Sequence, residues 1–182
     1  MLDDADEVIA AARAGSAAAF TAIYEDLAGP VAGYLRGKGV RDVEDMTSEV
    51  FLAVFTGLER FDGDEAGLRS WVFTITHRRV IDGWRSTGRH PEPVAYDPTM
   101  DVRSCQSAEV AALERVGEER AVALIGLLTD DQRDVLLLRV VADLSIEEIA
   151  AVVGRTPGAV KALQRRGLSA LRRTLARQGV PL

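Results

Sequence analysis

SIEEIAAVVGRTPGAVKALQRR, residues 145–166, decides the fold of the C-terminal part of this chain. Ser145-Ile146-Glu147-Glu148 is a capping box: hydroxyl and carboxylate each satisfy an orphan backbone N–H, so a helix opens at Ile146. Gly154 closes it, because the turn needs a residue that tolerates positive φ. Thr156-Pro157 supplies an N-cap and a proline at the first helical position of a second helix. Ala150 is small where the second helix crosses the first, and Val160 and Leu163 give that second helix a buried side. The pattern is a helix-turn-helix.

Its outward side is basic. Arg155, Thr156, Lys161, Arg165 and Arg166 qualify as outward residues, and no Asp or Glu occurs from residue 149 onward. Basic residues in a last helical turn complement any helix dipole. Seven bases without an acid across residues 151–182 exceed that need and point to DNA. By the usual docking geometry Thr156, Ala159, Lys161 and Ala162 reach base edges. Arg165, Arg166, Arg172 and Arg173 lie further along and hold phosphates.

Upstream, Thr129-Asp130-Asp131-Gln132 fits another capping box, opening a helix that carries Val135, Leu136, Leu138 and Arg139. Residues 108–128 read as a helix too. Residues 85–107, RSTGRHPEPVAYDPTMDVRSCQS, contain three prolines and no helical period, and mark a linker. Before it, helices are expected over 3–14, 16–36, 42–60 and 68–85. Phe20, Ile23, Tyr24 and Leu27 share a face of the second, and Pro30 should break or kink it. Met46, Val50, Val54 and Leu58 form an i, i+4 stripe on the third, with Phe51 and Phe55 beside it. FDGDEAG, residues 61–67, reads as a loop. No strand pattern survives. The expectation is an all-α protein of two small helical domains, residues 1–86 and 108–182, joined by a linker over 87–107.

The net charge of −6 hides its layout. Residues 1–65 sum to −9 and 91–150 to −8, whereas 66–90 sum to +4 and 151–182 to +7. Phosphate attraction is therefore local. On the fourth helix Trp71, Arg78, Asp82 and Arg85 fall within an arc of about 60°. One aromatic beside guanidiniums suits a single strand, although Trp71 and Trp84 are read as packing residues. Cys105 cannot form an internal disulfide and is read as a linker thiol. With only His77 and His90 besides, no metal-ligand spacing can be assembled. No run approaches the roughly 20 apolar residues of a membrane span, and the N-terminus is acidic where a signal peptide is basic. A cytoplasmic protein without metal or cofactor is expected.

The order of these features resembles the extracytoplasmic-function (ECF) sigma factors over about residues 7–176. AAAFTAIYEDLAGPVAGYL (17–35) precedes DVEDMTSEVFLAVFTGLERF (42–61) and LRSWVFTITHRRVIDGWR (68–85), and a linker and the helix-turn-helix follow. DVEDMTSEVF is similar to that family's polymerase-clamp-binding segment, and residues 128–166 to its domain that reads the −35 promoter element. The resemblance implies that Asp42, Asp45 and Glu49 face core RNA polymerase. It implies that the loop from Phe61 to Arg69 captures a flipped base of the melted −10 strand. The helix carrying Arg78, Asp82 and Arg85 would read the rest of that element. It also allows an anti-sigma partner, and it implies neither a small-molecule substrate nor catalysis. Ser48 stands where the family usually has Gln, and Arg78 where it usually has Asn. The usual Arg is absent at Leu163, and Gln164 replaces an apolar residue.

Two other readings differ in what they explain. A free-standing helix-turn-helix regulator accounts for residues 110–177 but not for DVEDMTSEVF followed by a basic-aromatic helix. An enzyme could be imagined from Asp3, Asp4 and Asp6 or from Glu147 and Glu148. No nucleophile–base pairing or phosphate-cradling loop accompanies these acids, so caps and solvated faces explain them better. Because two acidic stretches repel DNA from the two basic ones, the free chain is expected to bind duplex DNA weakly and to gain specificity only with core polymerase. Gel shifts showing nanomolar, sequence-specific binding by the protein alone would favour the regulator instead.

Overall fold

The structure, a computed structural model, describes residues 4–87 and 121–177. The expected linker beyond residue 87, Cys105, His90 and the start of the helix expected over 108–128 lie outside the described residues. Among the described residues seven helices carry the fold: α1 (Ala5–Arg13), α2 (Ala17–Gly37), α3 (Val43–Gly57), α4 (Glu65–Thr87), α5 (Asp130–Val140), α6 (Ile146–Val153) and α7 (Pro157–Arg177). A 3₁₀ turn, Leu58–Arg60, follows α3, and residues 121–126 are helical. No strand occurs among the described residues.

In the first domain α2 buries Ile23, Leu27, Val31, Tyr34 and Leu35, the i, i+4 row that a core-facing helix requires. Val50, Phe51 and Val54 of α3 and Leu68, Val72, Phe73 and Val80 of α4 complete that core. Pro30 does not break α2, which runs unbroken through it. An interior proline costs about 3 kcal/mol, and the buried row on both sides of Pro30 offsets it. The loop before α4 is shorter than expected. Asp64 Oδ1 accepts the Gly67 N–H at 2.8 Å and the Asp64 carbonyl accepts from Leu68, so the helix starts at Glu65 rather than Leu68.

The second domain packs α5, α6 and α7 around Val135, Leu136, Leu138, Ile149, Val160 and Leu163. The capping box expected at Thr129 does not form: its side chain makes no cap hydrogen bond. Gln132 instead faces Gly167 of α7, where a Cβ would sit 3.5 Å from its own. Arg133, buried despite its charge, donates to the carbonyls of Ile125, Gly126 and Leu128 and so satisfies the end of the preceding helical turn.

Six consecutive residues of α5, Arg133 to Leu138, are buried. A helix is covered all round only when something lies on both sides of it, and here α2 of the first domain covers the other side. Gly37 makes the approach possible: a Cβ there would lie 2.5 Å from Leu137 Cδ2. Asp134, one turn earlier on the same face, enters the first domain. Its Oδ1 accepts from the Tyr34 hydroxyl at 3.1 Å and pairs with the ammonium of Lys38, which is fully buried. The Tyr34 oxygen also lies 2.8 Å from His77 Nδ1. Burial, reinforced by the Asp134 carboxylate, pushes the Tyr34 phenol well up, so it stays a neutral donor. With its O–H directed at Asp134, the Tyr34 oxygen accepts from Nδ1–H, which assigns the His77 tautomer.

Burial also lowers the His77 pKa; Asp134 opposes this, while Lys38 and Arg78 add to it. A histidine depressed in the folded state binds fewer protons there than when unfolded. Its contribution is therefore complete above the unfolded value of about 6.5 and is lost as pH falls below it. Lowering pH from 7.5 to 5 should thus reduce the thermal midpoint more for the wild type than for His77→Gln. Parallel midpoint-against-pH curves for the two proteins would show that His77 is not held neutral.

Candidate nucleic-acid and polymerase interface

The helix-turn-helix is built by local chemistry. Glu148 N–H donates to Ser145 Oγ at 3.3 Å while Ser145 N–H donates to Glu148 Oε2 at 2.7 Å, which completes the capping box. Gly154 closes α6 at φ +66°, and the Arg155 N–H returns to the Ala150 carbonyl at 3.0 Å. Thr156 Oγ1 accepts the Ala159 N–H at 3.3 Å, capping α7 just before Pro157. Ala150, Val160 and Leu163 are buried. Leu163 takes the core position and Gln164 stays half-buried, so the shifted apolar residue is accommodated within α7.

Lys161, Arg165, Arg166, Arg172 and Arg173 are exposed along α7, with Thr156 exposed and Ala159 and Ala162 half-buried at its start. Arg155 differs from the rest. One of its nitrogens donates to both Asp131 oxygens, at 2.8 and 2.7 Å. Both side chains are about half exposed, and an ion pair so placed holds at most about 1 kcal/mol. A phosphate can exchange for it.

On α3, Asp42, Asp45 and Glu49 are exposed, and Glu49 pairs with Arg79 of α4 at 2.8 Å. Asp45, Glu49 and Leu52 stand at i, i+4 and i+7 and so share one helix face. Leu52 is 64% exposed and Phe55, a turn further, 55%. Phe55 leans edge-on against Phe20, and the half-exposed Tyr24 against Phe51. An apolar patch therefore borders the acids. By sequence Phe55 stands beside the buried stripe of α3, but its i+3 spacing from Leu52 continues the acidic face.

The −10 set divides. Arg78, Asp82 and Arg85 stand outward on α4, the last two within 3.7 Å of each other. Phe61 and Arg69 do not. Phe61 is buried and stacks on Trp71 at 5.1 Å between centroids. Arg69 donates to Asp26 Oδ2 at 2.9 Å, with both side chains largely covered. In this arrangement the first domain's own core and an α2 carboxylate occupy these two groups, leaving Asp62, Gly63 and Asp64 as the exposed tip of the loop. Trp71 and Trp84 pack against the core.

Among the described residues no cluster of three or more His, Cys, Asp or Glu is placed to hold a metal. Nor is any helix there long and apolar enough to cross a membrane.

The pattern described as Sigma-70 region 2 matches residues 23–90, and that described as Sigma-70, region 4 matches residues 118–171. The chain is 34% identical to the ECF RNA polymerase sigma factor SigD of Mycobacterium tuberculosis, over 96% of this chain and 85% of SigD. It is 36% identical to the ECF RNA polymerase sigma factor ShbA of Streptomyces griseus, over 76% and 74% of the two chains. Its fold resembles that of CnrH in complex with the cytosolic domain of CnrY, with a TM-score of 0.70 at 23% identity, covering 96% of this chain and 99% of that one. A region 2 match, a region 4 match and a relative aligned almost end to end place this chain in the family of ECF RNA polymerase sigma factors.

Proposed function

We propose that this sigma factor works through two separated faces, the acidic-apolar face of α3 and the acid-free basic face of α7. The family's role is established: an ECF sigma factor binds core RNA polymerase and directs it to promoters. Our reading assigns core binding and the −10 element to residues 1–86, connection to 87–107 and the −35 element to 108–182. The observation that carries it is the pairing of exposed Asp45, Glu49 and Leu52 on α3 with an α7 whose exposed charges are all positive. We read the chain as non-catalytic and cytoplasmic. Since CnrH is solved with the cytosolic domain of CnrY, a regulatory protein partner of the anti-sigma kind belongs to the reading as well.

The clamp-facing acids make the first test. Asp45→Arg and Glu49→Arg reverse charge at exposed positions and should abolish promoter-directed transcription while leaving helicity and melting unchanged. The Glu49 change also removes the exposed pair to Arg79, which contributes at most about 1 kcal/mol. Undiminished binding to core polymerase by both variants would end the α3 assignment.

On α7, base reading and phosphate holding separate along the helix. Lys161 lies on its first turns, where a side chain reaches the major groove; Arg172 lies three turns further, where the helix leaves it. Losing a base contact relaxes preference at one position by about 1–3 kcal/mol. Losing a phosphate contact weakens all sequences alike and lowers the salt slope by roughly one. Lys161→Ala should therefore change which −35 variants are used, and Arg172→Ala should weaken binding without reordering them. Transcription from a library of −35 point variants measures both. An unchanged order of preference in both mutants would move specificity to Thr156, Ala159 and Ala162 or to DNA shape.

A further inference from the structure

Three of the four arginines of α4 are held by carboxylates of this chain, and the three holds differ. Arg69 meets Asp26 with both side chains largely covered, so that pair serves the fold. Arg85 lies 3.7 Å from Asp82 of its own helix, with both groups largely exposed. Arg79 is held from another helix. Its guanidinium donates to Glu49 Oε2 of α3 at 2.8 Å, and the two side chains are 41% and 57% exposed. α3 carries Glu44, Asp45 and Glu49 and no base, so the acid that holds Arg79 belongs to the face assigned to core polymerase. At about 100° per residue, Arg79 stands about 60° round the helix from Asp82 and about 100° from Arg78. That is the border between the α3 face and the face carrying Arg78, Asp82 and Arg85. One exposed ion pair thus joins the two surfaces of the first domain.

We propose that Arg79 is a further phosphate-holding residue for the −10 strand, masked by Glu49 until core polymerase takes that acid. The mechanism is competition. A surface that receives Asp45 and Glu49 must offer cations, and a carboxylate engaged by one of them pulls less on Arg79. An ion pair between groups this exposed is weak, so a polymerase cation or a DNA phosphate can each replace one of its partners. The freed guanidinium stands beside the −10 reading face, where it holds a phosphate and so adds affinity without sequence preference. The exchange runs in both directions. Coupling between two ligands is reciprocal, so a strand that captures Arg79 releases Glu49 and tightens core binding by the same factor. Neither Arg69 nor Arg85 can act in this way, because Asp26 and Asp82 lie on α2 and α4, away from the α3 face.

The proposal rests on the assignment of α3 to core polymerase, and the experiment reads the mask and that assignment separately. The probe is a short, fluorescein-labelled single-stranded DNA of mixed sequence, titrated by anisotropy with the full chain at several salt concentrations. Glu49→Gln should raise the affinity of the chain alone about two- to fivefold at low salt, the range that so exposed a pair withholds. It should also steepen the salt slope by about 0.7, the share of one single-strand phosphate. Combining it with Arg79→Gln should cancel both gains. Asp45→Asn removes the same charge one turn away and should do less. With core polymerase, Arg79→Gln should bind core up to about fivefold more tightly, since Glu49 is released. It should nonetheless lower the salt slope of promoter binding by about 0.7 and leave the order of −10 preference unchanged. Unchanged affinity and slope in Glu49→Gln, or a gain that survives Arg79→Gln, overturns the mask. An equal gain in Asp45→Asn assigns the effect to net charge and overturns it too. A wild-type salt slope in the Arg79→Gln holoenzyme overturns the phosphate role. A gain that Arg79→Gln cancels, beside undiminished core binding by Glu49→Arg, counts instead against the assignment of α3 to polymerase.

Discussion

A carboxylate on one domain sits inside the other: Asp134 of α5 fills a socket made by Tyr34, Lys38 and His77. Moving two charges out of water costs several kcal/mol per ion, and the pair's attraction only roughly repays it. The joint therefore gains little net stability from its charges. What it gains is register. An apolar face of Leu137 and Val141 alone could slide along Gly33 and Gly37 of α2, whereas one buried ammonium accepts one position of the acid. The remaining features follow from that position. Tyr34 must be a donor, His77 must be neutral, and α5 must be covered on both sides.

The parts of the fold that local chemistry determines were legible from residue types. Ser145 with Glu148, Gly154, and Thr156 with Pro157 each act within four residues, and each forms as its pattern implies. Where tertiary contacts compete with a local pattern, the pattern gave way. Gln132 could have capped Thr129 but packs toward Gly167. Pro30 could have broken α2, yet the buried row from Ile23 to Leu35 holds the helix through it. Phe61 and Arg69, read as nucleic-acid contacts by resemblance, are engaged by Trp71 and Asp26. Lys38 and Asp134 left no usable signal, because the two partners lie about half the chain apart. The run of Leu136, Leu137 and Leu138 was the clue: three successive leucines suit a helix covered all round rather than a surface helix.

The same contrast separates the two faces assigned to function. The basic face of α7 is readable because it is a charge count along one helix, and no packing is needed to see it. The patch on α3 is not, because Leu52 and Phe55, like the neighbouring Tyr24 of α2, look like core residues in sequence. They stay outside because Val50, Phe51, Val54 and Leu58 already fill the core side of α3 and the turn after it. Large apolar side chains exposed together beside acids are what a protein-binding surface needs.

Closure and access are thus distinct in this molecule. With α5 docked, Asp45, Glu49, Leu52 and Phe55 remain exposed, as do Lys161, Arg165 and Arg172. The joint covers none of them; it fixes the distance between them. Both faces assigned to function are therefore accessible while the two domains are packed together. A partner could separate the domains only by as much as it favours the separated state, since it shifts an equilibrium only by its differential affinity for the two states. Arg155 lies near the joint without holding it. Its exposed pair with Asp131 is weak enough to be surrendered to a phosphate, and Asp131 lines the same cleft as His77 and Arg155. Both partners belong to the second domain, so exchanging that pair for a phosphate would leave the contacts of the joint itself in place.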